Sequence, residues 1–185
     1  MMNIKITEAK TRDELKEILI LQEKNHRDTL SNGNGWEDGF LSLKHELALM
    51  EKMNVVAPQI IAKAENKVVA FALVMPESFK TEVPVLKPLF EILKDTSYKG
   101  KKIISHNYYV MGQICVAKEY RAMGIFDSLY AKHKEIYSKQ FALCVTEIAT
   151  RNKRSMKAHQ RVGFEIIHTF RDSLDEWNIV VWDWK

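Results

Sequence analysis

The chain has 185 residues, of which 46% are hydrophobic and 28% charged, with a formal net charge of +4. That length supports one well-packed domain rather than two, and no apolar run approaches the roughly 20 residues that cross a bilayer. A charge this modest accommodates an anionic ligand without arguing for nucleic acid. The opening MMNIKITEAKTRDEL is charged throughout and lacks the apolar core of a secretory signal, so a cytoplasmic protein is expected.

Residues 3 to 8 read as a strand, followed by a helix over TRDELKEILILQEKNH with Thr11 or Asp13 as cap and Leu15, Ile18, Leu19 and Leu21 or Gln22 turned inward. Residues 28 to 39, DTLSNGNGWEDG, form a loop by composition. Its Trp36 is either a lid over a pocket or a packing residue. A second helix is expected from about Leu41 to Met53, then two strands in IIAKAENKVVAFALVM joined by a turn at Glu65, Asn66 and Lys67. Residues 76 to 102 contain three prolines around a short apolar piece and read as an insertion where a substrate flap would sit. Lys99, Lys101 and Lys102 in it read as a solvated edge.

The stretch YVMGQICVAKEYRAMGIFDSLYAKHKEIY, 109 to 137, is a buried strand, a tight turn and an amphipathic helix. A helix starting after Gly124 presents unpaired backbone N–H groups and the positive end of its dipole beyond the strand, a phosphate site reinforced by Arg121. FALCVTEIAT is a second buried strand, and the strand–helix–strand order implies right-handed parallel pairing with a cleft where the two strands part. RNKRSMKAHQRVG is a short helix stopped by Gly163, and FEIIHTF and WNIVVWDW are the last strands. Cys115 and Cys144 sit in apolar strands and read as reduced core residues, with Cys115 as an acyl-accepting nucleophile the alternative.

VAKEYRAMGIF, 116 to 126, resembles the acyl-CoA-binding signature of the GNAT superfamily of N-acyltransferases: Gln or Arg, two residues, Gly, one residue, Gly or Ala. Arg121 and Gly124 match, and Phe126 replaces the small last residue. NKRSMKAHQRVGF, 152 to 164, resembles a second stretch of the same family, and the element order fits its fold. The resemblance implies an α+β architecture, a central twisted sheet of about seven strands flanked by helices, with strands diverging at a cofactor cleft. It implies one domain over 1–185 and acetyl-CoA as cosubstrate, held by Ile114, Cys115, Val116, Arg121, Ala122, Met123, Gly124, Ile125, Phe126, Asn152 and Ser155.

Asn152, Ser155 and His159 lie within about 60° of one another on their helix. In the resembled family the position of His159 often carries a Tyr that protonates the departing thiolate, and an imidazolium would be a stronger acid. Glu147, a carboxylate in an apolar strand, is the candidate base for an incoming amine; a structural role for it, or deprotonation by water, stays open. Unpaired backbone of residues 114 to 116 would bond the pantetheine amides and the thioester oxygen. Arg151, Lys153, Arg154 and Lys157 serve either the cofactor phosphates or a solvated face. The histidines show no HxxH or HExxH spacing and the two cysteines lie far apart, so no metal is expected.

The expected function is transfer of an acetyl group from acetyl-CoA to a primary amine of a small molecule or peptide by direct attack in a ternary complex. An acyl-CoA sensor without turnover is the alternative. Nucleic acid is not an expected partner, since no aromatics interleave the basic clusters, and neither is a membrane, since no apolar run is long enough to span one. Trp36, Asp38, Phe40, Tyr108 and Trp177 are candidates for an acceptor pocket, and WNIVVWDW is the segment expected to pair chains if a homodimer forms.

Overall fold

The computed structural model describes residues 3–26, 29, 41 and 43–184. Strand β1 (Ile4–Glu8) leads to helix α1 (Arg12–Lys24) and, after the 43–46 segment, to α2 (Leu47–Val56). Strands β2 (Ile60–Ala64) and β3 (Lys67–Pro76) follow, then α3 (Lys87–Leu93), the small hairpin β4 (Ser97–Tyr98) and β5 (Lys101–Lys102), and β6 (Tyr108–Val116). Helix α4 (Ile125–Tyr137), β7 (Leu143–Ala149), α5 (Lys153–Val162), β8 (Glu165–Arg171) and β9 (Glu176–Trp182) complete the described chain. The main sheet has seven strands in the order β1-β2-β3-β6-β7-β9-β8, and β6–β7 is its one parallel pair.

Local chemistry sets the boundaries. Thr11 caps α1: its Oγ1 accepts from the N–H of Glu14, whose carboxylate accepts in return from the N–H groups of Thr11 and Lys10. The other Glu14 oxygen takes Lys63 Nζ at 2.7 Å, tying the helix start to β2. The turn between β2 and β3 holds Glu65 and Asn66 at φ +49° and +67°, the twist a two-residue hairpin requires. Helix α2 begins at Leu47 rather than the expected Leu41. The carbonyl of Leu43 and the N–H of His45 are taken by the side chains of Gln113 and Gln22, so this segment stays extended.

Apolar residues fill both sheet faces. Under α1, α2 and α3 lie Ile18, Met50, Phe71, Leu89 and Val145; under α4 and α5 lie Tyr109, Leu129, Tyr130, Phe164 and Trp182. The 76–102 segment thus contributes Phe79, Leu86, Leu89, Phe90 and Leu93 to a core, rather than resting on it. Lys99 and Lys102 pair with Asp183 and Asp95. Strand β9 runs between β7 and β8, so the expectation that WNIVVWDW pairs chains fails: both its edges are used. The edge strands are β1 and β8, and β8, largely exposed, has one extra residue at Ile167 in its register to β9.

Gly163 closes α5. It sits at φ +118°, its N–H reaches the carbonyls of His159 and Gln160, and an added Cβ would lie 3.1 Å from Trp182 Nε1. Gly163→Ala should therefore cost on the order of 1–2 kcal/mol, read as a lower urea midpoint at unchanged m value.

Candidate active site

Strands β6 and β7 pair through only three residues: Tyr108 with Leu143, Tyr109 with Cys144 and Val110 with Val145. Beyond Val110, β6 stays with β3 while β7 stays with β9, and the two diverge. Thr146 Oγ1 donates to the Met111 carbonyl at 2.8 Å across the start of the gap. The β3–β6 register slips between Ala72 and Val74, so Gly112 and Gln113 together oppose Leu73. Such a bulge re-aims the backbone that follows it, here residues 114 to 116.

Buried amides brace the gap. Gln22 Nε2 donates to Gln113 Oε1 at 2.5 Å and to His45 Nδ1 at 2.8 Å, its Oε1 accepts from the His45 N–H, and Gln113 Nε2 donates to the Leu43 carbonyl. Burial pushes the His45 pKa down to about 4, which suits its role as acceptor. The network fastens residues 43 to 45 over β6.

On one side of the gap a groove of about 400 Å³ runs to the turn before α4. Ten of the eleven residues expected at the cofactor line it: Ile114, Cys115, Val116, Arg121, Ala122, Gly124, Ile125, Phe126, Asn152 and Ser155. Met123 does not; its side chain is 54% exposed. Gly124 is the N-cap of α4 at φ +73°, and Ala122 is also left-handed at +62°. The N–H groups of the first turn of α4 point out of the helix here. Arg121 is anchored by Nε to the Val116 carbonyl and by Nη2 to Asn25 Oδ1. Arg154 and Lys157 add positive charge, Arg161 is paired with Asp127 at 2.7 Å, and no Asp or Glu lines the groove among the described residues. Phe126 both lines the groove and packs edge-on to Tyr130 and His159.

On the other side lies a slot of about 110 Å³ that shares Ile114, Asn152 and Ser155 with the groove. Asn152 caps α5, its Oδ1 accepting from the Ser155 N–H at 3.1 Å. His159 lines the slot but is 1% exposed, ringed by Phe126, Tyr130 and Phe164. Its Nδ1 lies 2.8 Å from the Ser155 carbonyl, so Nδ1 carries the proton and Nε2 is an acceptor with no partner among the described residues. Burial lowers its pKa to about 4, and the imidazolium expected as the acid is therefore absent at neutral pH. Glu147 also lines the slot, its pKa raised to about 8 by burial first and the Asp172 carboxylate second.

Burial raises the Cys115 thiol pKa to about 12, which removes it as a nucleophile. Tyr108 is buried and lines neither cavity, whereas Trp177 lines the slot. Trp36, Asp38 and Phe40 lie outside the described residues. Sequence reading missed Asp172, Arg161, the Gln22–His45–Gln113 network and the slot walls Val85, Leu86 and Leu89. Only the 76–102 segment had been marked as a flap. Among the described residues no three His, Cys, Asp or Glu side chains gather to hold a metal ion, and no helix is long and apolar enough to cross a membrane.

No protein-family model matches the sequence, and no curated protein matches it. Solved structures do match, and the architecture is the GNAT acetyltransferase fold. The ribosomal-protein-S18-alanine N-acetyltransferase of Escherichia coli superposes with a TM-score of 0.63 at 12% identity, over 97% of this chain and 92% of its own. An acetyltransferase of the GNAT family from Streptococcus pneumoniae gives 0.62 at 14%, over 97% and 98%. A Salmonella typhimurium protein solved with its cofactor acetyl-CoA gives 0.62 at 12%, over 98% and 94%. At these identities the likeness is one of fold.

Acid stability follows from the buried rings. His45, His133 and His159 all have pKa values pushed down to about 4, against 6.5 in the unfolded chain. Between those values the unfolded state binds more protons, so stability falls as pH drops from about 6.5 toward 4. Glu147, raised from 4.5 to about 8, opposes this slope as one group against three. The urea midpoint should accordingly decrease from pH 6.5 to 4.5, and long-range ¹H–¹⁵N spectra at pH 7 should show His159 neutral with its proton on Nδ1.

Proposed function

We propose that this protein is an N-acetyltransferase that moves an acetyl group from acetyl-CoA to a primary amine by direct attack within a ternary complex. The observation that carries the proposal is the gap between β6 and β7, continuous at one end with a cationic groove and at the other with a slot containing Glu147.

The residues suit the cofactor. The N–H groups opening α4, Arg121 and the neighbouring cations offer donors and positive charge to the pyrophosphate. The β7-facing edge of residues 114 to 116 supplies the hydrogen bonds of an absent neighbouring strand to the pantetheine amides, and one of its N–H groups would hold the thioester oxygen as charge develops. Asn152 keeps its amide nitrogen available at the junction of the two cavities. When bound, acetyl-CoA supplies a thioester whose thiolate is a fair leaving group.

Glu147 accepts the proton that the amine must shed before attacking, since an amine with pKa about 10.4 is neutral in only about a few molecules per ten thousand at pH 7. The base works in its ionised form, so its raised pKa makes the rate climb with pH toward about 8. Neutral His159 presents only a lone pair at Nε2 and does not protonate the thiolate; water or the newly protonated Glu147 serves instead. Holding both reactants in one gap supplies much of the acceleration.

Acetyl-CoA should bind the folded protein by calorimetry. Arg121→Ala should weaken binding about tenfold, as expected for loss of a charge-assisted contact, and Ala158→Trp should abolish it by filling the groove. No binding by the folded wild type overturns the proposal, and binding without thiol release across an amine panel leaves a sensor in its place. Glu147→Gln should lower kcat/KM by about 10²–10³ and flatten its rise toward pH 8.

A further inference from the structure

The slot differs in chemistry from the groove it adjoins. Its long walls are apolar: Val85, Leu86 and Leu89 from the segment after β3, and Leu174 and Trp177 from the β8–β9 hairpin. Its acidic side chains are Asp172, held as the carboxylate, and Glu147, whose raised pKa keeps it largely protonated at neutral pH, and no Lys or Arg lines it among the described residues. Asp172 is firmly held. Its Oδ1 accepts from the N–H groups of Leu174 and Asp175 at 2.7 and 2.9 Å and from Trp177 Nε1 at 3.0 Å. Oδ2 accepts no hydrogen bond among the described residues, and neither does the Glu147 carboxylate.

A third acceptor comes from the opposite wall. His159 Nε2, on a side chain 1% exposed, is an acceptor because the ring's proton is committed to the Ser155 carbonyl, and it meets no donor among the described residues. Two carboxyl groups, Glu147 on β7 and Asp172 at the hairpin, thus line the same slot as His159 on α5, whose Nε2 is the one of these acceptors both buried and unpaired among the described residues. An ammonium group carries three donors, and a buried acceptor left unpaired is costly.

Resting on the acetyl-transfer reading, we propose that the acceptor is a primary amine on a short apolar chain or ring with no carboxylate near the nitrogen, and that Asp172 is the residue that selects it. It enters as the ammonium, drawn by the Asp172 carboxylate and seated on the leucines and Trp177. After one proton passes to ionised Glu147, the N–C bond to the acetyl carbon forms, the C–S bond breaks, the nitrogen sheds its second proton, and the departing thiolate takes up one of the two protons released while the other goes to solvent. At about 110 Å³ the slot is smaller than the roughly 150 Å³ cavity that encloses a benzene ring, so it holds a chain of a few carbons, or part of a ring whose remainder rests in its open end. A carboxylate on the amine's α-carbon would meet Asp172 with like charge and no cation to offset it.

The test compares phenethylamine with phenylalanine, which differ by that carboxylate alone, at saturating acetyl-CoA, with acetyl-CoA binding measured separately by calorimetry. Phenethylamine should be preferred by at least about a hundredfold in kcat/KM, the scale of a like-charge contact with Asp172 plus burial of a carboxylate without a cation. Asp172→Asn keeps the Oδ1 acceptor that supports the hairpin; it should raise KM for phenethylamine about tenfold, leave kcat within about twofold, and narrow the gap to phenylalanine. Val85→Lys, away from the hairpin, should likewise raise KM. Equal use of the two amines, preference for phenylalanine, or an unchanged KM in folded Asp172→Asn overturns the assignment of acceptor while leaving acetyl transfer to other amines standing. Acetyl-CoA binding with no transfer to either amine overturns it as well. Failure to bind acetyl-CoA overturns the reading on which it rests.

Discussion

The site depends on one interruption: the parallel pairing of β6 and β7 ends at Val110 and Val145. Each strand has a second neighbour that holds it on course, β3 for one and β9 for the other, so the divergence is fixed by the rest of the sheet. The bulge at Gly112 and Gln113 turns β6 further, and the side chain of Gln113, released from the regular pleat, becomes the anchor of the 43–46 segment. Helices α4 and α5 both start beside the opened gap because each follows one of its two strands. Two N-terminal helix ends and two unpaired strand edges are thereby gathered without any loop having to carry them.

Charge is segregated along that gap. Cations from the turn before α4 and from α5 line the groove, and carboxyl groups from β7 and the β8–β9 hairpin line the slot. Between them stand neutral groups, Asn152, Ser155 and His159, the last kept uncharged by its aromatic surroundings. A positive ring at that junction would blur the division and attract both ends equally. Neutrality at His159 is thus consistent with a site that sorts an anionic ligand from a cationic one, as the proposed reaction requires.

What was legible in the sequence was local. The apolar run before Gly124 and the helical spacing after it marked the strand, turn and helix, and Asn152 announced its helix because a capping side chain acts on residues three positions away. The helical stripe was also geometrically sound: Asn152, Ser155 and His159 line one slot. The protonation state of His159 was not legible, because it depends on Phe126 and Tyr130 arriving from α4 and on the turn after Gly163 folding Phe164 back against the ring. Asp172 sits in an ordinary polar hairpin, RDSLDE, and acquires meaning only when β9 sets it beside Glu147. The same holds for Gln22 and Gln113, partners separated by 91 positions.

Strand β8 leaves the sheet with an unpaired edge, and its composition bears on how the molecule behaves in a crowded solution. An open row of backbone donors and acceptors is a template on which other chains can add strands and aggregate. Here the extra residue at Ile167 breaks the regular spacing of that row, and Glu165, His168 and Arg171 stand exposed along it. Arg171 and Glu176 close its far end with an ion pair. An incoming strand would have to follow the kink and desolvate those side chains, so the sheet ends where it does by its own chemistry.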